Sequence, residues 1–385
     1  MVASPSSQPS QTYECVVVGA GPAGAAAAYH LAQRGHRVLL LEKEALPRYK
    51  PCGGGVSPLV AQWFDFDFSP AISLRVNQIR YTWKMGDPIL ADMDLADPVW
   101  MVRREIFDHF LVKQAQAQGA ELRDRTAVAG IRWQQDRWQI QTDDGPVMGT
   151  YLIGADGAKG SMAKWLGFKE RTRRLAAALE VEAPLAEPET AAAHFDFGTV
   201  NNGYIWNFPK TDGYSIGAGT FRGGEGQNLR SLTTEYANTF GVDMTQLKPY
   251  GHPICLWDGD QVLHTQNALL AGDAACVIDP FTAEGIRPSL LTGTMAATAI
   301  SQALGGDGDA LARYSQQVQA EWGSQMRWAK RLAGAFYRLP GVAYRVAIKR
   351  PGATRLMGRL LSGEARYSDV AGKAIQKISA GMLGG

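Results

Sequence analysis

The chain has 385 residues, of which 45% are hydrophobic and 20% are charged, a composition typical of a globular protein with a large core. Its formal net charge of +2 gives no overall field that would favour nucleic acid as a partner. No stretch contains the roughly 18 to 20 consecutive apolar residues that a membrane-spanning helix needs.

The N-terminal residues and the cysteines indicate where the protein works. Residues 1–12 are rich in Ser, Pro and Gln and lack a basic start followed by an apolar run, so we predict a disordered tail rather than a secretory signal. The four cysteines, Cys15, Cys52, Cys255 and Cys276, show no CxxC spacing. This spacing predicts neither a metal site nor a disulfide framework. A reducing compartment such as the cytoplasm is therefore expected.

A glycine-rich turn follows the first predicted strand. Residues 15–18 are apolar and β-branched, which is typical of a buried strand, and the sequence GAGPAG follows at 19–24. A helix is predicted over 25–34, and a second strand over 37–41 ends at Glu42. This is a GxGxxG motif in its proper context, a unit of strand, helix, strand and acid that binds a dinucleotide.

Each part of this unit has a physical role. Gly19 permits a tight turn, Gly21 lets the backbone approach a pyrophosphate, and Gly24 lets helix and strand pack closely. The start of the helix offers free N–H groups to phosphate, and Glu42 can accept hydrogen bonds from ribose. The unit alone does not separate FAD from NAD. Its candidate cofactor-binding residues are Gly19, Gly21, Pro22, Ala23, Gly24, Glu42 and Lys43.

Two later turns place an aspartate at the end of a predicted strand. Residues 151–153 lead into Gly-Ala-Asp-Gly at 154–157, and residues 267–271 lead into Gly-Asp-Ala at 272–274. Ligands of open α/β sheets bind at such strand ends. A helix from about residue 284 to 304 follows the second turn, and its N-terminus would stabilise negative charge on a reduced flavin. Candidate residues in these segments are Asp156, Gly157, Gly272, Asp273, Gly285 and Ile286, and Arg104 and Val128 are candidates from earlier in the chain.

This order of motifs resembles the flavoprotein monooxygenase superfamily, which has the para-hydroxybenzoate hydroxylase fold. The resemblance implies one FAD in an extended pose and an α/β fold. A Rossmann-like FAD-binding domain would be interleaved with a mostly antiparallel sheet that forms the substrate domain, and a C-terminal helical region would follow. The expected boundaries are 13–62, 101–170 and 262–305 for the FAD-binding domain, 63–100 and 171–261 for the substrate domain, and 306–385 for the helices.

Three further segments resemble the geranylgeranyl reductase family. They are the loop PRYKPCGGGVSP at 47–58, the strand GYIWNFPK at 203–210 and the ending LSGEARYSD at 361–369. One position departs from the family pattern PxTGEG, because Ala283 replaces its first glycine. A methyl group there should restrict the backbone near the flavin, although it should not prevent binding.

The resemblance implies that reduced flavin saturates isolated C=C bonds of a polyprenyl chain, with NADPH or a reduced ferredoxin as the electron donor. The substrate would be a prenyl-chain lipid or a prenyl diphosphate. Candidate catalytic residues are Cys52, Tyr204 and Trp206, and Cys52, Gly53 and Gly54 would also contact the flavin. Tyr204 and Trp206 are two apart on a predicted strand, so they share a face and can line an apolar pocket. Cys52 is either a small packing residue or a proton donor.

Several alternatives stay open. A flavin monooxygenase would share the fold and the cofactor, and a flavin- or lipid-carrier protein would bind FAD without turnover. Most of the other aromatic residues between 63 and 208 are predicted to be ordinary core residues. We interpret His30, His36 and His109 as surface residues of helices or turns.

The C-terminal region is basic and amphipathic. Residues 322–363 contain no acidic residue and nine basic ones, interleaved with apolar residues and interrupted by Pro340 and Pro351. Such helices can lie on anionic membranes or can simply cap the protein with a solvated basic face. Peripheral membrane contact is therefore a second expectation.

Overall fold

A computed structural model describes residues 12–168, 173–185, 191–221 and 226–370. Residues 1–11 of the predicted tail lie outside the described residues. Thr12, the last residue of that predicted tail, belongs to the first strand. The last part of the predicted C-terminal region, 371–385, also lies outside them.

Within the described residues, 18 strands and nine α-helices alternate along the chain. The strands are β1 Thr12–Val18, β2 Val38–Leu41, β3 Gly55–Val56, β4 Leu74–Val76, β5 Gln78–Trp83, β6 Gly86–Asp92, β7 Val99–Met101, β8 Glu121–Arg123, β9 Val128–Gln134, β10 Arg137–Thr142, β11 Val147–Gly154, β12 Arg174–Pro184, β13 Ala193–Phe197, β14 Gly203–Lys210, β15 Gly213–Thr220, β16 Tyr250–Leu256, β17 His264–Thr265 and β18 Ala268–Leu270. The helices are α1 Pro22–Gln33, α2 Arg104–Ala117, α3 Met162–Trp165, α4 Leu229–Asn238, α5 Ile286–Leu304, α6 Ala310–Val318, α7 Ser324–Arg338, α8 Pro340–Ala343 and α9 Pro351–Ser362.

The first sheet is the dinucleotide-binding sheet. Its central order is β17-β18-β11-β1-β2-β8, with β10 and β9 added beside β11. Strand β1 is parallel to both β2 and β11, so Val18 lies beside Leu41 on one side and Gly154 on the other. The carboxyl ends of these strands therefore meet at one edge. Helices α1 and α5 pack together on this sheet, and a Cβ at Gly293 of α5 would overlap the Ala23 carbonyl oxygen.

The second sheet is mostly antiparallel, with the order β16-β12-β15-β14-β13-β5-β6. Its one parallel pair in the described part of the chain joins β13 to β5. The side chains of each strand alternate between two faces. One face packs against α4 around a separate core that includes Ile205 and Tyr214. The other face turns toward the dinucleotide-binding sheet.

A third, small sheet β3-β7-β4 connects the glycine loop to the chain just before α2. The C-terminal helices then close the protein. The Ser57 hydroxyl donates to the carbonyl of Ser362, and the Tyr367 hydroxyl donates to Asp279 at 2.6 Å. The predicted fold class is confirmed: an α/β Rossmann-like domain carries an interleaved, mostly antiparallel sheet and a C-terminal helical region.

The interpretation of His30 as a surface residue is wrong. His30 is only 6% exposed, because α1 packs against α5 on one side and against α2 on another. The imidazole stacks on Phe64 with ring centroids 4.9 Å apart. Burial lowers the pKa of His30 to about 4, so the ring is neutral and serves as a core side chain.

The expectation that no cysteines pair is also wrong. Cys255, at the end of β16, forms a disulfide with Cys276, which follows the Gly-Asp turn. The two residues are 21 positions apart, a spacing that carries no pairing information by itself. Of the remaining cysteines, Cys15 is buried and Cys52 is half-buried.

Candidate cofactor and substrate cavity

A cavity of about 730 Å³ lies between the carboxyl edge of the dinucleotide-binding sheet and the inner face of the antiparallel sheet. It brings together residues from almost every segment that the sequence singled out. All the predicted site residues line it except Gly24 and Gly272. These two lie directly behind the lining, where a Cβ on Gly24 would overlap the Gly19 carbonyl oxygen and one on Gly272 would lie 2.8 Å from the Ala23 Cβ.

The GxGxxG turn shapes one end of the cavity. Gly19 has φ +104°, a backbone conformation that residues other than glycine rarely adopt. Gly21 is the N-cap of α1 and makes no side-chain capping bond, so the N–H groups of Ala23 and Gly24 in the first turn lack a capping partner. The nearest atom to a Cβ on Gly21 would be Arg48 Nη2, at 3.8 Å. The open space and the free N–H groups fit a phosphate.

Charged residues support this end. Glu42 accepts from the backbone N–H of Ala20 at 3.0 Å and pairs with Arg48 at 3.2 Å. The predicted contact with ribose would have to share a carboxylate that already has these partners. Arg48 also pairs with the buried Asp108, which accepts two hydrogen bonds from Arg104 at 2.7 and 2.8 Å. The two arginines thus share one buried carboxylate and lie side by side at the cavity wall.

The two aspartate turns follow the adjacent strands β11 and β18 at the carboxyl edge. Asp156 accepts from the backbone N–H of Met162 at 2.8 Å, which fixes the turn before α3. Asp273 lies deeper, and burial raises the pKa of its carboxyl group while Lys50 and Arg104 oppose that shift. Asp273 is therefore available as a polar contact at the cavity wall.

The glycine loop crosses the middle of the cavity. Gly54 has φ +75° and its carbonyl accepts from Val102 N–H at 2.8 Å, so the loop is tied to β7. A Cβ on Gly53 would lie 2.8 Å from the Phe208 ring and 3.0 Å from Trp206 Nε1. Side chains cannot be added on this side of the loop without displacing those aromatic rings.

The inner face of the antiparallel sheet supplies an apolar surface beyond the loop. Tyr204, Trp206 and Phe208 alternate along β14, and the register places Phe195 of β13 beside Trp206. Trp206 lies over Gly217 of β15, where a Cβ would be 2.6 Å from the indole Cη2. The wall continues into β5 and the C-terminal helices through Ile79, Tyr81, Phe197, Phe281, Phe336, Tyr337, Met357 and Leu361.

The start of α5 forms the opposite wall. Ala283 has φ +59°, the left-handed conformation that favours glycine, so the alanine bears the backbone strain that its glycine-like position imposes. Glu284 pairs with Arg287 at 2.7 Å. Burial raises the pKa of Glu284 to about 7, and Arg287 opposes this shift. Gly285, the N-cap of α5, makes no side-chain capping bond, so a second helix N-terminus faces the cavity.

Two helix N-termini at opposite parts of one cavity fit an extended dinucleotide, with the phosphates at α1 and the ring system at α5. Sequence reasoning missed several buried polar residues that share this space. Tyr49, Lys50 and His252 line the cavity, and the buried Glu180 and Lys210 lie beside it, hydrogen-bonded to the lining residues Tyr49 and Gly53. The period-two pattern from Tyr204 to Lys210 places Lys210 on the cavity face and could have identified it.

Comparison with known proteins supports the cofactor assignment. A family model described as FAD dependent oxidoreductase matches residues 14–80. An uncharacterised protein of Methanosarcina barkeri is 34% identical over 76% of this chain and 75% of its own length. A menaquinone reductase of Mycolicibacterium smegmatis is 29% identical over 95% of this chain and 97% of its own. A geranylgeranyl diphosphate reductase of Rhodobacter capsulatus is 29% identical over 74% of both.

Among solved structures, a geranylgeranyl bacteriochlorophyll reductase-like protein from Thermoplasma acidophilum has the same fold. Its TM-score is 0.77 at 20% sequence identity, and the match covers 91% of this chain and 92% of that one.

Proposed function

We propose that this FAD-dependent oxidoreductase, which resembles geranylgeranyl reductases, saturates isolated C=C bonds of a prenyl chain. The substrate would be a prenyl lipid or a prenyl diphosphate. When bound, FAD would supply the hydride for one alkene carbon. The chain itself must hold the alkene, exclude water and provide a proton for the other carbon.

The observation that carries this proposal is the position of the apolar wall. Trp206 and Phe208 lie against Gly53, so the apolar part of the cavity begins where the glycine loop ends. An unactivated alkene has no polar group to hydrogen-bond, and it can be positioned only by shape and by water exclusion. A wall of rings next to the cofactor site meets that requirement.

Three residues have proposed roles at this boundary. The Tyr204 hydroxyl donates to the Thr282 carbonyl at 2.5 Å, so we assign this ring to packing rather than to proton transfer. Trp206 would hold the alkene against the cofactor. Cys52 is half-buried beside the loop and interacts electrostatically with Arg104 and Lys50, which makes it our candidate proton donor.

The test is the anaerobic reoxidation of chemically reduced protein by geranylgeranyl diphosphate or a geranylgeranylated glycerolipid. We expect oxidised flavin to reappear and the product to gain two hydrogens for each double bond, measured by mass spectrometry. A product that instead gains one oxygen in air would identify a monooxygenase. Reduced flavin that no prenyl compound reoxidises would indicate a carrier.

The electron donor is a separate part of the proposal. The sequence has one GxGxxG motif, so NADPH would bind transiently without its own Rossmann domain, and a reduced ferredoxin is the other donor we propose. Comparing the rates at which NADPH and reduced ferredoxin reduce the bound flavin distinguishes the two.

Peripheral membrane contact is a further part of the proposal, and the structure narrows where it would occur. Of the nine basic residues between 322 and 363, five form ion pairs with acidic residues: Arg327, Lys330, Lys349, Arg355 and Arg359. Leu339, at the junction of α7 and α8, and Val342, within the short helix α8, are 60% and 50% exposed and lie near Arg338 and Arg345 in the chain. Among the helices of the described residues, none is both long and apolar enough to cross a membrane.

We propose that this turn between α7 and α8 inserts into the surface of an anionic bilayer, because Phe336 and Tyr337 just before it line the cavity. Replacing Leu339 and Val342 together by Asp should weaken binding to anionic liposomes about 30-fold, since two apolar contacts of about 1 kcal/mol each are lost. Co-sedimentation at low salt measures this. Leu175→Asp, an equally exposed leucine on β12, should bind like the wild type. Equal binding by the double variant would contradict the proposed site.

A further inference from the structure

A group of buried charges lies beneath the glycine loop and has no role in the function proposed above. Glu180 and Glu182 of β12 and Lys210 of β14 lie on the same sheet face as Trp206. Glu180 and Lys210 have no exposed surface. Burying charged groups costs desolvation energy, so we expect these residues to fulfil a role in the neighbouring site.

Lys210 reaches from this group to the loop. Its Nζ donates to the Gly53 carbonyl at 2.6 Å, and a Cβ on Gly54 would lie only 3.0 Å from the same nitrogen. The loop has glycines at 53–55 and little stiffness of its own. A charged hydrogen bond from a fully buried side chain fixes its path one residue from Cys52.

The acidic partners of Lys210 are themselves held in place. Glu182 accepts from Arg103 at 2.5 Å, and Glu180 accepts from the Tyr49 hydroxyl at 3.2 Å through one oxygen, while its other oxygen has no hydrogen-bond partner. Burial raises the pKa of Glu180 to about 8, and the charge of Glu182 adds to this shift. Burial lowers the pKa of Lys210 to about 8, and Glu182 opposes that shift. Burial therefore disfavours the charged form of both residues, and the charge of Glu182 favours the charged form of Lys210.

We propose that Lys210 is a positioning residue for Cys52. Its ammonium group holds the glycine loop by the Gly53 carbonyl and, together with Lys50 and Arg104, makes the surroundings of the Cys52 sulfur electropositive. The assignment rests on the proposed function only where Cys52 gives its proton to the alkene.

In that step the S–H bond of Cys52 breaks as a C–H bond forms at one alkene carbon. The electron pair for the second C–H bond arrives with the hydride, so the alkene is reduced and the flavin is oxidised. The thiolate that remains is stabilised by the three cations and regains its proton from water. Lys210 keeps its own proton throughout.

The charged and titratable groups around this pair come from several elements. Those facing Cys52 are Lys50, Arg104, Tyr204 and Lys210. Those facing Lys210 and its acidic partners are Tyr49, Arg103, Glu105, Glu180 and Glu182, and those facing Lys50 are Arg48 and Asp273. Three of the four groups that face Cys52 are cations, and none is a carboxylate.

The experiment measures the ionisation of Cys52 in the FAD-loaded protein. Thiolate ultraviolet absorbance is followed across pH as the difference between each protein and the same protein carrying Cys52→Ser. Because Cys15 is fully buried and the other two cysteines are paired, the difference belongs to Cys52. Lys210→Met should move the curve upward by about one pH unit, which is a tenfold loss of thiolate at a given pH, since a positive charge has been removed.

Lys210→Arg keeps the charge and should leave the curve near that of the wild type. Lys164→Met, an exposed lysine of α3, is the matched control and should not move it. If Lys210→Met does not fold, Lys210→Gln provides the same loss of charge. A curve for a folded, FAD-loaded neutral variant that coincides with the wild type would overturn the assignment. The measurement needs no prenyl substrate, so it succeeds or fails independently of the proposed reaction.

Discussion

Gly21→Ala is expected to lose most of its FAD while the protein remains folded. Gly21 has φ −79° and ψ −176°, which alanine adopts without strain, and its Cβ would come no nearer than 3.8 Å to Arg48. The methyl group would instead occupy the space through which the pyrophosphate approaches the N–H groups of α1. Losing a charged hydrogen bond there costs about 2 kcal/mol, or roughly a 30-fold weaker affinity.

Flavin absorbance after gel filtration and the melting temperature of the apoprotein provide the two measurements. Gly334→Ala is the matched control, because this glycine lies inside α7 with no atom within 4 Å of an added Cβ. It should keep its flavin and gain a little stability from helix propensity. Gly24→Ala should behave differently from both, since its Cβ overlaps the Gly19 carbonyl oxygen and the apoprotein itself would be destabilised. Full flavin content in Gly21→Ala would contradict the proposed phosphate site.

Trp206→Ala is expected to lower kcat/KM for a prenyl substrate about 100-fold and to leave FAD content unchanged. The indole lies between Gly217 of the sheet and Gly53 of the loop, so its removal opens the wall where we place the alkene. The lost apolar contact is about 3 kcal/mol at the point where the reacting carbons must be held. Steady-state kinetics and the flavin-to-protein ratio test the two halves of this prediction.

Trp206→Phe should recover most of the activity, because the smaller ring still covers part of Gly217. Trp133→Ala is the control for the loss of an indole elsewhere, since Trp133 lies on β9 and packs against Trp138, away from the cavity. Activity that is unchanged in Trp206→Ala would show that the substrate does not use this wall. Loss of flavin in the same variant would place the indole at the cofactor instead.

Much of the cofactor end was predictable because its requirements are local. A turn with φ +104° at Gly19 and a close packing contact at Gly24 each demand glycine at a fixed spacing. The aspartates after β11 and β18 could be found for the same reason, since a parallel sheet brings its strand ends to one edge. Each of these residues can therefore be identified from a few neighbouring positions in the sequence.

The features that were missed depend on contacts between distant segments. Glu180 and Lys210 meet only because β12 and β14 flank β15 in a particular register. Cys255 and Cys276 meet because β16 runs beside the loop after β18, where Leu256 pairs with Ile278. His30 is buried because α1 is covered on several sides, which the pattern of a single helix does not reveal. No local sequence pattern shows which distant segments come into contact in this way.

The order of strands in the dinucleotide-binding sheet has a consequence for synthesis on the ribosome. Strand β1 emerges well before its neighbour β11, which ends at Gly154, and before the next strand, β18, which ends at Leu270. Helix α1 then needs α5, which packs on it through Gly293. A nascent chain that has not passed this glycine therefore leaves the face of α1 that α5 covers exposed, and the cavity that includes Gly285 and Ile286 is completed only late in translation.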